Sequence, residues 1–420
     1  MTRPPLVQPR STPDSSAAIE GGDARPARLV AAAAQQISDY GIAAASARSV
    51  AAAAGAAPSA INYNFGSIER LLSRAFDQGA ARTADWLEAR SHELRALPRS
   101  PDAAARALEL VVLGWTREAR PLALLYQECL AANPGEGPAA AWTALWRDFW
   151  LRTANAFGLG EAEGRLMHII FESEGLYHLS TWSPALEAAA LRELTDHFGA
   201  VWLGAAARAP IGALALAEES AGVLATGSIA PGALRIAEAA AEVIEGGLGR
   251  LTHRAVAARA GVTTGAVTHH FRSIPDLVAG AIRGQVMALA PREADNAPAV
   301  ERIGAAAGFL EALRYYATTD EPVAPSARRR IPFLAAVRRP DLAGAGAVIR
   351  FAHGGTARDA VSRFFDPPRG TLRLYAGLLS RLSSAIWFAC SADEQPRGSR
   401  EWLIDEIQAR LLRNLPLKDA

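Results

Sequence analysis

Apolar and polar positions follow a helical period along almost the whole chain. Ala and Leu recur at spacings of three and four residues, as one buried face of an α-helix requires. Two long stretches of this kind run from about Leu71 to Arg208 and from about Val278 to Leu415. Val, Ile and Thr, which strands favour, are not enriched. The pattern predicts an all-α fold.

A shorter pattern occurs twice in the chain. Residues 27–75 align without a gap onto residues 233–281 at a constant offset of 206. About a third of the aligned positions are identical, and self-similarity of this kind marks a repeated structural unit. The matches fall at positions that a small helical domain buries or uses in turns. The chain therefore contains two copies of one module.

Each copy predicts four helices. The first helix spans 29–40 in copy one and 236–245 in copy two. Ser46 and Thr252 are good N-cap residues for a short second helix, because their hydroxyls accept a hydrogen bond from the first turn. Capping residues also introduce the fourth helix of each copy, at Ser67 and Ser273.

The turn between the second and third helices is marked by glycine in both copies. Gly55 and Gly261 are suited to a tight turn, since glycine adopts backbone conformations that other residues avoid. The predicted third helices follow at 58–64 and 264–270. Ala51 and Ala257, four residues before these glycines, let the second and third helices approach closely. Apolar pairs supply the contact between them: Val50 with Ile61, and Val256 with Val267.

This arrangement is a helix-turn-helix, and its residues resemble the heads of the TetR family. The resemblance rests on 46–51, 54–55, 61–67 and 71–72 in copy one and on the aligned residues of copy two. It covers about fifty residues per copy. It implies two DNA-binding heads, each followed by a larger helical domain that binds a small effector and supplies a dimer interface.

The resemblance also implies a division of the chain into six parts. An N-terminal tail covers 1–24 and is followed by head one at 25–72 and the first regulatory domain at 73–208. The linker is 209–230. Head two is then 231–278, and the second regulatory domain is 279–416.

Site residues follow from the way a helix-turn-helix binds DNA. Its third helix enters the major groove, and early outward side chains meet base edges while flanking residues hold phosphates. Arg48 and Arg254, early in the second helices, suit phosphate or groove-edge contacts. The predicted DNA-binding residues are Ser46, Arg48, Pro58, Ser59, Ala60, Asn62, Tyr63 and Asn64 in head one, and Thr252, Arg254, Thr264, Gly265, Ala266, Thr268, His269 and His270 in head two.

Each prediction has an alternative. Asn62 and Asn64 also suit a solvated surface, and the two arginines also suit surface salt bridges. His269 and His270 do not suit one metal ion, because neighbours on a helix point about 100° apart. We predict no metal site.

The outward residues of the two heads differ at nearly every position, whereas the buried positions agree. We therefore expect the heads to prefer different half-sites. One chain would act as an intramolecular pseudo-dimer that places its recognition helices ~34 Å apart on an imperfect palindrome. Head one has few charged groups near its recognition helix. The alternative is a ligand-binding or interaction protein in which one or both heads no longer bind DNA.

Candidate effector-binding residues lie in the first regulatory domain. Trp142, Trp146 and Trp150 recur every four residues on one helical face, which suits core packing or a ligand-lining surface. His168 and Glu172 share a helical face, as do Glu174 and His178. Surface pairing, a pocket and a metal site are the three interpretations of these residues.

Two arginine clusters stand out in the second regulatory domain. They are 328–330 and 338–339. A solvated face or an interface explains them better than an anion site.

Composition narrows the function further. The net charge of +1 neither supports nor excludes DNA binding. Cys129 and Cys390 lack nearby partners and suit reduced, buried thiols. Phosphate-loop, H-E-x-x-H and G-x-S-x-G motifs are absent, so we predict no enzyme and no cofactor. Without a signal peptide or apolar span, we expect a cytoplasmic repressor with operator DNA and a small effector as partners, and a possible homodimer.

Overall fold

A computed structural model of the protein describes residues 20–418, apart from 134, 226–230, 246–249, 275, 279, 282–305, 320–324 and 352–354. All regular elements within these residues are helices, which confirms the all-α prediction. None of the described helices is both long and apolar enough to cross a membrane. Most of the predicted tail and the end of the predicted linker lie outside the described residues.

The first half of the chain contains nine α-helices within the described residues. Short helical turns follow α1, α5 and α9, at Ile42–Ala44, Gly114–Glu118 and Gly199–Leu203. The nine helices are α1 (Glu20–Tyr40), α2 (Ala47–Ala53), α3 (Ser59–Phe65), α4 (Ile68–Leu94), α5 (Pro101–Leu113), α6 (Arg120–Ala132), α7 (Gly137–Ala156), α8 (Glu161–Tyr177) and α9 (Pro184–Phe198).

A further helix, α10 (Ala213–Ala225), lies in the segment predicted as linker. It buries Ala213, Leu214 and Ala217, so this part of the connection is packed. The described helices of the second half are α11 (Pro231–Glu245), α12 (His253–Ala260), α13 (Thr264–His270), α14 (Ala306–Thr318), α15 (Pro325–Val337), α16 (Ala343–Phe351), α17 (Gly355–Phe364), α18 (Leu372–Ala389) and α19 (Pro396–Asn414).

The two halves repeat one packing pattern. α1 lies against α6 as α11 lies against α15, and α7 packs on α8 as α17 packs on α18. α5 contacts α9 in the same way as α14 contacts α19. The two predicted regulatory domains therefore share an arrangement of helices even though their sequences show little similarity.

The halves meet through their C-terminal helices. α8 packs along α18, α9 also contacts α18, and α8 also contacts α19. α10 lies against α9 on one side and α16 on the other. Leu166 and Ile170 of α8 and Leu378 and Leu382 of α18 are buried in one apolar core. Because that core is continuous, burial of apolar surface holds the two halves together.

Candidate nucleic-acid interface

Head one is built by local signals around α2. The Ser46 hydroxyl accepts a hydrogen bond from the Ser49 N–H at 3.1 Å, and the Ser49 hydroxyl accepts one from the Ser46 N–H at 2.9 Å. At the other end Gly55 has a φ of 63°, and the Ala56 N–H donates to the Ala51 carbonyl at 2.9 Å. The capping at both ends fixes where α2 begins and where it stops.

Head two repeats the same construction. The Thr252 hydroxyl accepts from the Ala255 N–H at 3.1 Å. Gly261 has a φ of 65°, and the Val262 N–H donates to the Ala257 carbonyl at 3.0 Å. An added Cβ at Gly261 would meet no atom within 4 Å. Glycine is therefore favoured here by the positive φ. A side chain would not be excluded by lack of space.

The residues of the predicted apolar pairs lie in the buried cores of the two heads. Val50, Ile61, Val256 and Val267 are fully buried. Phe271 is also buried, and Phe65 packs half-buried against the core. The two heads therefore share one scaffold at the positions where their sequences agree.

The recognition helix of head one, α3, begins one residue later than predicted, because Pro58 is its N-cap. Asn62 and Tyr63 are exposed, and Tyr63 retains 90% of its accessible surface. Asn64 is half-buried, and its amide donates to the Ala60 carbonyl at 2.7 Å. The most prominent outward groups are therefore Asn62 and Tyr63. Pro58 and Ser59 are exposed beside them, and Ala60 is half-buried.

The recognition helix of head two, α13, has the predicted bounds. Its outer surface is formed by Thr264, Gly265, Thr268, His269 and His270, all exposed, with Ala266 half-buried. The two imidazole rings lie edge to face with centroids 5.1 Å apart. This surface offers hydroxyl and imidazole groups, whereas head one offers amide and phenol groups.

Arg48 and Arg254 lie in the first turns of α2 and α12. Both side chains are exposed, and within the described part of the chain neither forms an ion pair. Their guanidinium groups are therefore available to an anionic partner. Ser46 and Thr252 are exposed beside them but use their hydroxyls as helix caps.

Two further arginines flank the recognition helices and were missed from the sequence. Arg70 is exposed in the first turn of α4, and Arg272 is exposed directly after α13. Their aligned partners are Asp276 and Gly66, so each head has its extra positive charge at a different place. The Asp276 carboxylate instead accepts a hydrogen bond from the Ser273 N–H at 3.0 Å. Both arginines can be found from the sequence by comparing the charged residues of the two copies position by position.

The three tryptophans predicted as effector-binding residues form an aromatic cluster. Trp142, Trp146 and Trp150 are fully buried on α7. The Trp146 ring centroid lies 4.9 Å from that of Trp115 and 3.9 Å from that of Phe171. Among the described residues, the buried indole N–H groups of all four tryptophans lack a hydrogen-bond acceptor. The cluster thus combines dense ring packing with unused donors.

His168 and Glu172 are both buried, so surface pairing is wrong for them. The Tyr126 hydroxyl donates to Glu172 at 2.8 Å, and the Arg330 guanidinium lies 3.1 Å from the same carboxylate. His168 does not pair with Glu172, and burial lowers the pKa of its imidazole to about 3. Glu174 and His178 do meet, at 3.2 Å, but they too are buried.

Both cysteines are buried free thiols. Burial raises the pKa of Cys129 and of Cys390 to about 12. Because the thiolate is the reactive form, neither side chain is an activated nucleophile.

A known protein family matches the same two helix-turn-helix units. The family described as bacterial regulatory proteins, tetR family, matches residues 29–75 and again residues 236–281. The curated proteins give no significant match to the chain. Both family matches cover the helix-turn-helix and the helix before it. The chain thus carries two tandem units of the type found at the N-terminus of tetR-family bacterial regulatory proteins.

Proposed function

We propose that the protein is a sequence-specific transcriptional regulator that binds one operator with both of its heads. The observation that carries this proposal is the pair of helix-turn-helix units with one buried scaffold and two different outer surfaces. Asn62 and Tyr63 would meet base edges in one half-site, and Thr268, His269 and His270 in the other. The operator would then be an imperfect palindrome.

Phosphate contacts would come from the arginines that flank each recognition helix. Arg48 and Arg254 have exposed guanidinium groups. Residues 25–75 contain five arginines against two carboxylates, and residues 231–281 contain five against four. Head one therefore has the larger positive charge, although its recognition helix has none. We infer that head one depends more on phosphate contacts than head two does.

The contact between α8, α9 and their counterparts in the second half supports an intramolecular pseudo-dimer. A two-fold dimer of helix-turn-helix proteins places its recognition helices about one DNA turn apart. In this protein both heads belong to one chain, so the pairing would need no second copy. A chain that pairs again into a four-headed dimer is the other possible assembly.

We further propose that the protein is a repressor released by a small molecule bound at the aromatic cluster. The unused indole donors of Trp142, Trp146 and Trp150 favour a flat ligand with hydrogen-bond acceptors. Tyr126 of this cluster donates a hydrogen bond to Glu172, and Glu172 pairs with Arg330 of the second half. A ligand that displaces Tyr126 would weaken a contact between the halves and change the separation of the heads. Quenching of tryptophan fluorescence during a ligand screen tests this site.

The first experiment is binding of the purified chain to its own upstream DNA by mobility shift and footprinting. Arg48→Ala and Arg254→Ala should each weaken binding and reduce the slope of log K against log salt by about 0.9. Arg413→Ala, at an exposed position in the last turn of α19, is the matched control.

The outcomes separate the alternatives. A protected site of one to two helical turns with unlike half-sites supports two active heads. If only one of the two arginine variants weakens DNA binding, the head with the other arginine no longer binds DNA. A folded chain that binds no DNA at low salt would support an interaction protein instead.

A further inference from the structure

The surface of the first half that faces the second half contains buried carboxylates. Glu172 and Glu174 on α8 are fully buried, and Glu187 on α9 is 2% exposed. Glu128 on α6 is also buried. Carboxylates are rarely buried to this degree without a paired cation. Their partners must therefore be part of the interface.

The second half supplies arginines to these carboxylates. Arg330 on α15 lies 3.1 Å from Glu172 and donates to the Gln127 amide oxygen at 2.6 Å. Arg381 on α18 pairs with Glu174. Arg350 on α16 has its Nη atoms 3.7 Å from Glu174 and 3.3 Å from Glu187. The three arginines themselves are 1% to 3% exposed.

Glu174 is the centre of this network. Burial alone would raise the pKa of its carboxyl group, but Arg381, His178 and Arg350 together hold that pKa well below its ordinary value. Two of these three partners, Arg381 and Arg350, belong to the second half, so the second half supplies the cations that compensate this buried carboxylate.

Two more contacts also join opposite charges from unlike halves. Arg338, after α15, pairs with Glu128 at 2.7 Å. Asp393, before α19, lies 3.0 Å from Arg147 and 2.7 Å from Arg165 of the first half. At the Asp393 contact the second half supplies the carboxylate and the first half the arginines, so opposite charges still meet across the interface.

A symmetric pair of like halves would lose these contacts. In a two-fold interface each residue meets the corresponding surface of its partner, so two first halves would bring Glu172 and Glu174 of both copies together. Two second halves would likewise bury Arg330 and Arg381 against their own copies. Buried charges without counter-ions are strongly unfavourable, and like charges across an interface exclude the wrong partner.

We propose that this buried charge pattern makes pairing strictly heterotypic: the first half accepts a second half and excludes another copy of itself. The inference concerns the interface alone and goes beyond the proposed binding of an operator. The apolar residues of α8 and α18 supply the driving force, and the charged residues select the partner.

The test cuts the folded chain. A protease site inserted between Gly227 and Ser228 allows the full-length protein to be cleaved after folding, and native mass spectrometry then identifies which fragments remain associated. The expected product contains one first half and one second half. Pairs of like halves, or free fragments at micromolar concentration, would overturn the proposal.

Charge variants of the cleavable chain test the cause. Arg330→Glu with Arg381→Glu should weaken association of the fragments by about a hundredfold or more, because unpaired carboxylates would be buried. Arg330→Lys with Arg381→Lys keeps the signs and should lose about tenfold or less. Equal association of the two variants would refute a role for charge.

A third variant tests a separate contact of the interface. Asp393→Arg reverses the charge of a side chain that is 5% exposed and faces Arg147 and Arg165, and it should also weaken association. Unchanged association of this variant would contradict the proposal. None of these measurements involves DNA, so a failure of the proposed function leaves the test intact.

Discussion

Arg338 joins the second half to the end of the first helix of head one. Its Nε and Nη2 atoms donate to the carbonyls of Ser38 at 2.9 Å and Ile37 at 3.1 Å. Its Nη1 atom lies 2.7 Å from Glu128, and both side chains are about nine-tenths buried. A cation at this position also interacts favourably with the C-terminal end of α1. The Arg338→Met variant keeps most of the length of the side chain and removes the charge.

The structure sets the size of the expected effect. Removing one partner of a buried ion pair costs about 3–5 kcal/mol. Glu128 keeps one hydrogen bond, from the Ile42 N–H at 3.1 Å, so the lower end of that range applies. We expect Arg338→Met to lower the free energy of unfolding by about 3 kcal/mol. In the double variant with Glu128→Gln the loss should be less than additive, because no carboxylate is left unpaired.

Urea denaturation followed by circular dichroism measures these losses. Arg338→Lys is the matched control, since it keeps the charge but cannot bond to both carbonyls and to Glu128 at once. The same variants should weaken DNA binding if the clamp fixes the position of head one. A loss of stability below about 0.5 kcal/mol for Arg338→Met, or strict additivity in the double variant, would refute the reasoning.

Two other predictions concern the packing of Gly79 and His197 in the first half, with Gly398 of the second half as a control for Gly79. A Cβ at Gly79 in α4 would lie 2.6 Å from the Trp142 ring, so Gly79→Ala should cost about 1–2 kcal/mol net, overpacking outweighing the helix preference of alanine. Gly398→Ala, at an exposed position in α19 with room for a Cβ, should instead stabilise by up to about 1 kcal/mol, and a thermal melt of both variants with the same sign would contradict this reasoning. Burial lowers the pKa of His197 to about 4, below the ordinary 6.5, and its ring meets Tyr375 of the second half edge to face at 4.4 Å. Because the unfolded chain binds the extra proton first, stability is highest above pH 6.5 and falls as the pH drops towards 4. His197→Phe should remove about 2 kcal/mol of the loss between pH 7.5 and pH 5, and an unchanged pH dependence of the urea midpoint would show that His197 is not responsible.

The heads were predictable because their signals are local. A capping serine or threonine, a glycine with positive φ and an apolar pair a few residues apart are all visible in about twenty residues of sequence. Ser46 and Gly55 therefore placed α2 correctly, and the repeat at a fixed offset supplied an independent check. The sequence places the start of α3 one residue too early, because proline favours the first helical position, whereas Pro58 is the N-cap in the structure.

The interface could not be predicted in the same way. Glu172 and Arg330 are 158 residues apart in sequence, and no local pattern connects them. A carboxylate in an apolar helix looks like a surface residue until its partner is known. The sequence indicates a solvated face or an interface for the arginine clusters at 328–330 and 338–339, and Arg330 and Arg338 lie in the interface. Periodicity gives the face of a helix but does not identify what covers it.

Heterotypic pairing and divergent heads are linked by a physical argument. In a homodimer both recognition helices come from one sequence, so any substitution changes both half-sites together. If the two halves pair only as unlike partners, Asn62 and Tyr63 can change while His269 and His270 stay the same. Each head then adapts to its own half-site, and the number of accessible operators increases. The buried charges of Glu174 and its arginine partners would thus be the condition that lets one chain recognise an asymmetric sequence.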